Sequence, residues 1–172
     1  MENRRVVITG IGVISPLGNT VEQFWSNLLA GRSGINKIQA FDASEYATQI
    51  AAEVLDFDPL NYMDRKEARH MDRFAQFAVA AAQQAVDDAG LKLDEENPEE
   101  IGVYIGSGIG GLKTLEEQHR VLLERGPRRV SPHLIPMMIA NMASGQVSIR
   151  FGVRGPNSTS VTACASSSHA VG

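Results

Sequence analysis

The sequence predicts an α/β protein on a mainly parallel sheet, and three observations predict it. The run Val6-Val-Ile-Thr-Gly-Ile-Gly-Val-Ile14 is β-branched and nearly continuous, the pattern of a strand buried on both faces. Segments of 3.6-residue apolar periodicity, bounded by cap residues, separate it from a second such run, Ile101-Gly-Val-Tyr-Ile105, and from a third strand over Ser158 to Ala163. Strands alternating with helices are joined by right-handed crossovers, which makes the sheet parallel.

Composition fits this class. A chain of 172 residues with 43% hydrophobic and 21% charged residues is ordinary for one globular domain with a real core. The net charge of −4 offers no overall attraction to nucleic acid, so any basic surface is a local patch. A single cysteine excludes an intrachain disulfide and fits a reducing compartment. Met1-Glu-Asn-Arg-Arg passes into a short apolar run with no cleavage site, and no apolar stretch approaches the roughly 18 residues of a membrane span. A cytoplasmic protein is expected, with neither membrane nor nucleic acid as a partner.

Ser15-Pro-Leu-Gly-Asn ends the first strand. Gly10 and Gly12 suggest a dinucleotide fingerprint, but Ser15 holds the third glycine position and Pro16 follows it. A helix over Val21 to Ala30 comes next: Thr20 and Gln23 form a capping box, Gly31 stands just past the end, and Val21, Phe24, Trp25, Leu28 and Leu29 make a core-facing stripe. Between it and Tyr62 only Gln49 to Leu55 reads as an edge strand or extended arm. A long helix is expected from Asp64 to Ala89, closed by Gly90, because Ala68, Met71, Ala75, Ala78, Ala82, Ala85 and Ala89 alternate spacings of three and four. Lys66, Arg69, His70 and Arg73 then share the opposite face; most such charge runs are merely solvated.

The acidic loop Asp94 to Glu100 leads into the second strand and the glycine loop Gly106-Ser-Gly-Ile-Gly-Gly111. Gly106, Gly108 and Gly111 satisfy G-x-G-x-x-G, so a phosphate cradle is one reading, although no later strand tip offers an acidic residue to a ribose. Leu112 to Arg125 is an amphipathic helix closed by Gly126-Pro127, and the Pro-bracketed loop after it carries Arg128 and Arg129. Met137 to Arg150 reads as a further helix, with Ala143, Ser144 and Gly145 as a small-residue contact and Met137, Met138 and Met142 as packing or pocket wall.

The last stretch, Gly155-Pro-Asn-Ser-Thr-Ser-Val-Thr-Ala-Cys-Ala-Ser-Ser-Ser-His-Ala-Val-Gly172, holds the single cysteine. A lone cysteine is more often a small buried hydrophobe than a reactive group. Here the strand-to-helix junction places Cys164 against unpaired backbone N–H groups and the positive end of a helix, which favour the thiolate and could hold an oxyanion. His169 lies about 140° round and roughly 7.5 Å along such a helix, a poor position for taking the thiol proton, so packing or hydrogen bonding is its expected role. His119 reads as structural, and neither it nor any other histidine forms a metal-binding pair.

Thr162-Ala-Cys-Ala-Ser-Ser, with Ala170-Val-Gly172 following, resembles the nucleophile segment of the β-ketoacyl-acyl-carrier-protein synthases, the elongating condensing enzymes of fatty-acid synthesis, and most of all the synthase II type. The resemblance runs along the whole chain. It implies the thiolase-like fold, in which two similar halves form a five-layer sandwich; residues 1–172 supply the first half, a βαβαβ-type layer pair, with the carboxy-terminal half absent. It implies Cys164 as the acyl-accepting nucleophile, Ile109 protruding into the acyl channel, and His133 lining that pocket where an aromatic such as Phe is expected. It further implies an acidic acyl carrier protein as partner, docked by Lys66, Arg69, His70, Arg128 and Arg129, with His70 in place of a frequent lysine making the contact pH-dependent.

The implied assembly is a homodimer, and the chemistry needs neither cofactor nor metal. The family's two catalytic histidines, its supporting lysine and a second oxyanion N–H come from beyond the nucleophile, so residues 1–172 alone are expected to be incompetent for condensation. They are also expected to associate through an uncovered sheet face. Two other classes are kept open: a non-catalytic partner subunit, which normally lacks the cysteine, and a nucleotide-binding oxidoreductase.

Overall fold

The computed structural model describes residues 5–172. In chain order the elements are α1 (Val21–Leu29), β1 (Ile35–Lys37), β2 (Ile50–Ala52), α2 (Arg65–Arg69), α3 (Arg73–Asp88) and β3 (Val103–Gly106). They continue with α4 (Leu112–Arg125), α5 (Leu134–Met138), α6 (Met142–Phe151), β4 (Asn157–Ser160) and α7 (Ser166–Val171). The chain divides into two compact units, Met1–Asp58 with Ala81–Leu91, and Pro59–Ala80 with Lys92–Gly172. Among the described residues no helix is long and apolar enough to cross a membrane.

In the first unit, α1 starts where the sequence places it. The Thr20 hydroxyl accepts the Gln23 N–H at 3.2 Å, while the Gln23 side chain reaches back to the Asn19 N–H at 3.1 Å, one residue before a standard capping box would close. At the other end Gly31, with φ +64°, donates to Leu28 O and Arg32 donates to Asn27 O, the paired bonds of a Schellman stop. The expected core stripe is corrected: Trp25 is 56% exposed and Leu29 71%, and no residue of α1 is buried. The Gln49 to Leu55 expectation resolves into β2, which pairs antiparallel with β1, Ile35 opposite Ala52.

The expected first strand is also corrected. Residues 5–14 form no ladder, and Val6 and Ile8 stand 91% and 82% exposed. Their amides turn to side chains of α3 instead: Ile11 N–H donates to the Asp88 carboxylate at 2.9 Å and Val13 N–H to Gln84 Oε1 at 3.0 Å. A β-branched run favours extended backbone, but a strand exists only where a ladder forms, and among the described residues neither sheet includes this run. The two glycines permit this close course, since a Cβ at Gly12 would fall 1.9 Å from Ala81 O and one at Gly10 2.1 Å from Ala85 O.

In the second unit, the helix expected from Asp64 to Ala89 breaks at residues 70–72. Asp64 begins α2 with a complete capping box, accepting the N–H groups of Lys66 and Glu67 at 2.7 and 2.8 Å while Glu67 accepts the Asp64 N–H. His70 closes α2, and Met71 and Asp72 turn inward and are buried. Gln76 bridges the gap, its side-chain amide donating to Ala68 O at 2.9 Å and Met71 O at 3.2 Å. The interior face keeps Met71 and Ala75 from the predicted stripe, then shifts to Val79 and Ala80.

Strands β3 and β4 pair in parallel, Val103 opposite Asn157 through Gly106 opposite Ser160, as the fold class requires. Helix α6 is fastened to β4 by a buried polar network: Ser144 Oγ, fully buried, meets Asn157 Oδ1 and Thr159 Oγ1 at 2.8 Å each, and Asn157 Nδ2 donates to Ser144 O and Ser148 Oγ. The helix expected over Met137 to Arg150 is two helices, α5 and α6. At the break the glycine loop docks: Gly111 N–H donates to Met138 O at 2.8 Å, and Ile139 is extended with ψ 135°.

Candidate functional site

Cys164 lies where β4 hands over to α7. A short polar strand, Asn157–Ser160, is followed by a 3-10 turn, Ala163–Ala165, and a helix from Ser166, so the strand expected over Ser158 to Ala163 is corrected: it ends at Ser160 and Ala163 belongs to the turn. Small residues on both sides let this junction pack tightly over β3: a Cβ at Gly106 would meet the Ser166 carbonyl carbon at 2.4 Å and its oxygen at 2.5 Å. Ala163 has φ +49°, the left-handed region that L residues avoid, and is alone among the described non-glycine residues in doing so. That turn presents the Cys164 side chain to solvent.

The amides at this junction are largely engaged. Ala165 N–H donates to Thr162 O at 3.1 Å, and Thr162 N–H donates to Ser166 Oγ at 2.9 Å. His169 Nδ1 lies 2.9 Å from Thr162 Oγ1, so the nearby imidazole holds the turn's side chains together. Ser166 Oγ also reaches Ser107 O at 3.3 Å, which connects the cysteine turn to the glycine loop that carries Ile109. Ile109 itself stands 68% exposed at that loop.

The glycine loop meets a protein carboxylate where a phosphate cradle would need an anion. Asp72 Oδ2 accepts the Thr114 N–H at 2.9 Å and the Thr114 hydroxyl at 2.6 Å in the first turn of α4. The helix start is thus already satisfied by the protein's own negative charge. Among the described residues no group of three or more His, Cys, Asp or Glu side chains is placed to hold a metal ion.

Of the proposed docking residues, Lys66 and Arg69 lie exposed on α2, and Arg128 and Arg129 lie exposed in the 3-10 turn Pro127–Arg129. The structure brings His70 and His133 together: their rings stack with centroids 4.1 Å apart at 25°. His133 directly precedes α5 and follows the Arg128–Arg129 turn, so this stack ties the end of the α2 patch to the element beyond the second patch. Arg73 departs from the patch, its guanidinium lying 4.9 Å over the Phe77 ring. A cleft of about 180 Å³ opens beside Asp72, lined by Met71, Arg73, Lys113 and Met137 among others, and Cys164 is not part of its wall.

Sequence reasoning missed Asp72 and Ser166. Asp72 was hidden inside an apparently continuous helical period, and its partner, Thr114, lies 42 residues away, so no local pattern marks it. Ser166 sits in the quoted cysteine segment but carries no pattern that separates it from its serine neighbours.

An α/β unit with a parallel strand pair and an exposed thiol at a strand-to-helix turn is the class defined by these features. The pattern of the family described as Beta-ketoacyl synthase, N-terminal domain, matches residues 3–172, and the chain belongs to that family. It is 56% identical to a 3-oxoacyl-(acyl-carrier-protein) synthase 2 of Synechocystis sp. over 172 residues, covering 100% of this chain and 41% of the relative. A protein of the same name from Coxiella burnetii is 54% identical over 172 residues, with 100% and 42% covered. Among solved structures, a ketosynthase in complex with its type II polyketide acyl-carrier protein, bound to the hexaketide, superposes with a TM-score of 0.84 at 25% identity over 99% of this chain and 45% of that one. The fold is therefore thiolase-like, and the chain spans about two fifths of the length of the curated relatives it matches.

Proposed function

We propose that this chain is the nucleophile-bearing part of an elongating β-ketoacyl-acyl-carrier-protein synthase. The observation that carries the proposal is the exposed Cys164 on a strained strand-to-helix turn, within a chain more than half identical to such synthases. The Cys164 thiolate attacks the carbonyl carbon of an acyl group borne on a carrier protein; the new C–S bond forms as the carrier's C–S bond breaks, and the carrier thiol leaves with a proton. The Cys164 backbone N–H is the oxyanion donor we assign from this turn, since the amides of Thr162 and Ala165 are engaged. Malonyl carrier protein then loses CO2, and the resulting carbanion attacks the Cys164 thioester, releasing a β-ketoacyl product two carbons longer and restoring the thiolate. The enolate charge in that step falls to histidines that the resemblance places beyond residue 172. We assign the reaction no cofactor and no metal.

The acyl carrier protein is the partner, met by Lys66, Arg69 and His70 on one side and by Arg128 and Arg129 on the other. Ile109 and His133 bound the acyl pocket. A homodimer in the cytoplasm is the state we assign to the full-length enzyme. The test is peptide-mapped mass spectrometry of the full-length protein after incubation with acyl-carrier thioester. An acyl adduct on Cys164, and loss of elongated product in Cys164→Ala, is the expected result; elongation that survives Cys164→Ala overturns the proposal.

A further inference from the structure

We infer that Ser166 is a positioning residue for the Cys164 thiol: its buried hydroxyl holds the Ala163 turn in its left-handed conformation. The inference rests on Cys164 being the nucleophile.

Ser166 is 2% exposed, whereas Ala165 and Ser167 on either side of it are exposed. As the first residue of α7 next to a turn, a serine would ordinarily cap the helix, accepting an N–H two or three residues further on. This one faces backwards. Its Oγ accepts the N–H of Thr162 at 2.9 Å and lies 2.7 Å from Ala163 O and 3.3 Å from Ser107 O. One hydroxyl proton serves one of these carbonyls at a time, and the shorter contact, Ala163, takes it. The Ser166 carbonyl in turn accepts the Ser160 hydroxyl at 2.7 Å.

The two residues before Cys164 are therefore pinned to a side chain of the helix that follows it. Strained backbone persists only where its surroundings over-determine it. At Ala163, φ +49°, that determination comes from Ser166: its hydroxyl fixes the N–H before the strained residue, and its hydroxyl and backbone N–H together hold the carbonyl of the strained residue itself. Gly106 closes the other side, because the backbone of Ser166 lies where a Cβ would stand. Without the hydroxyl, Thr162 N–H loses its acceptor and Ala163 O is left with the Ser166 backbone N–H alone, so Ala163 relaxes toward negative φ, which rotates the thiol away from the incoming carbonyl.

The experiment measures the rate of Cys164 acylation by acyl-carrier thioester, located by peptide mapping, together with the melting midpoint of the full-length enzyme. The variants are Ser166→Ala, the near-isosteric Ser166→Cys, the double variant Ala163→Gly with Ser166→Ala, and Ser144→Ala as a buried-hydroxyl control. The expected result is acylation about tenfold slower in S166A, the rate equivalent of one lost hydrogen bond, and severalfold slower in S166C. The double variant recovers speed, because glycine adopts φ +49° freely. S144A melts earlier but acylates at the wild-type rate. Wild-type rates in S166A, or in S166C should S166A not fold, overturn the inference, as does a double variant no faster than S166A. Absence of any adduct on wild-type Cys164 overturns the nucleophile reading itself and this inference with it.

Discussion

Asp72 takes both polar hydrogens of Thr114, the backbone N–H at 2.9 Å and the hydroxyl at 2.6 Å, and both residues are buried. This single contact explains the break between α2 and α3: continuing the helix through residue 72 would carry the carboxylate away from α4. It also anchors the end of the glycine loop, since Thr114 lies in the first turn after Gly111. Removing the acceptor leaves two buried donors, so Asp72→Ala is expected to lower stability by about 2–3 kcal/mol, and Asp72→Asn, which retains one acceptor, by about half of that. Urea unfolding of the full-length protein measures both; equal losses in the two variants would show that the contact is not the source of the stability.

Much of this architecture is legible in the sequence, and the failures share one cause. Local chemistry was sufficient for α1, whose cap at Thr20 and stop at Gly31 are read from single residues, and for α4 between Gly111 and Gly126. It was sufficient for the parallel pairing of β3 and β4 and for the placement of Cys164 at their far end. Where a distant group competes for one backbone segment, periodicity misleads. Asp72 is drawn to Thr114, and Met138 O to Gly111, so two predicted helices each split in two. The run Val6 to Ile14 shows the converse, since its residues suit a strand but its amides find side chains of α3 instead. The His70–His133 stack was out of reach for the same reason: 63 positions separate the two rings, as their numbers 70 and 133 show.

The cap of α2 carries a pH signature. Asp64 has its carboxyl held below the ordinary value of 3.8, chiefly by the hydrogen bond from the Glu67 N–H and further by those from Lys66 and by the Lys66 and Arg150 charges, with partial desolvation opposing. A lowered folded value means the carboxylate's contribution is fully present above the ordinary value and is lost as pH falls through the folded one. The Lys66 and Glu67 amides are therefore expected to lose hydrogen-exchange protection on acidification below the ordinary carboxylate range. Asp64→Asn, which caps without ionising, should flatten that profile; an unchanged acid response in this variant would assign the effect to another group.

Gly106 and Gly108 belong to one glycine loop but face different surroundings. A methyl group at 106 would press on the backbone of Ser166 at 2.4–2.5 Å, whereas nothing lies within 4 Å of a Cβ at 108. Gly106→Ala is expected to cost about 2–3 kcal/mol, because backbone must move to admit it, and to slow acylation of Cys164 by displacing its turn. Gly108→Ala should change stability by less than about 0.5 kcal/mol, as exposed substitutions usually do. Thermal melts and acylation rates side by side check the pair, and comparable losses at both positions would refute the crossing of α7 over β3 as their cause.

Ile109 provides a test of the acyl pocket that the fold itself will tolerate. Its side chain is 68% exposed in this chain, so enlarging it meets little resistance from the residues described here. In the full-length synthase the proposed role puts that side chain in the channel that receives the acyl chain, and added bulk there subtracts length from what fits. Ile109→Phe is expected to shift the products toward shorter acyl chains while short primers still acylate Cys164 at near the wild-type rate, because the nucleophile turn is held by Ser166 and not by the loop tip. Chromatographic profiling of products across a primer series gives the result. A product distribution identical to wild type removes Ile109 from the channel, whereas a uniform loss across all primers places its effect on the Cys164 turn instead.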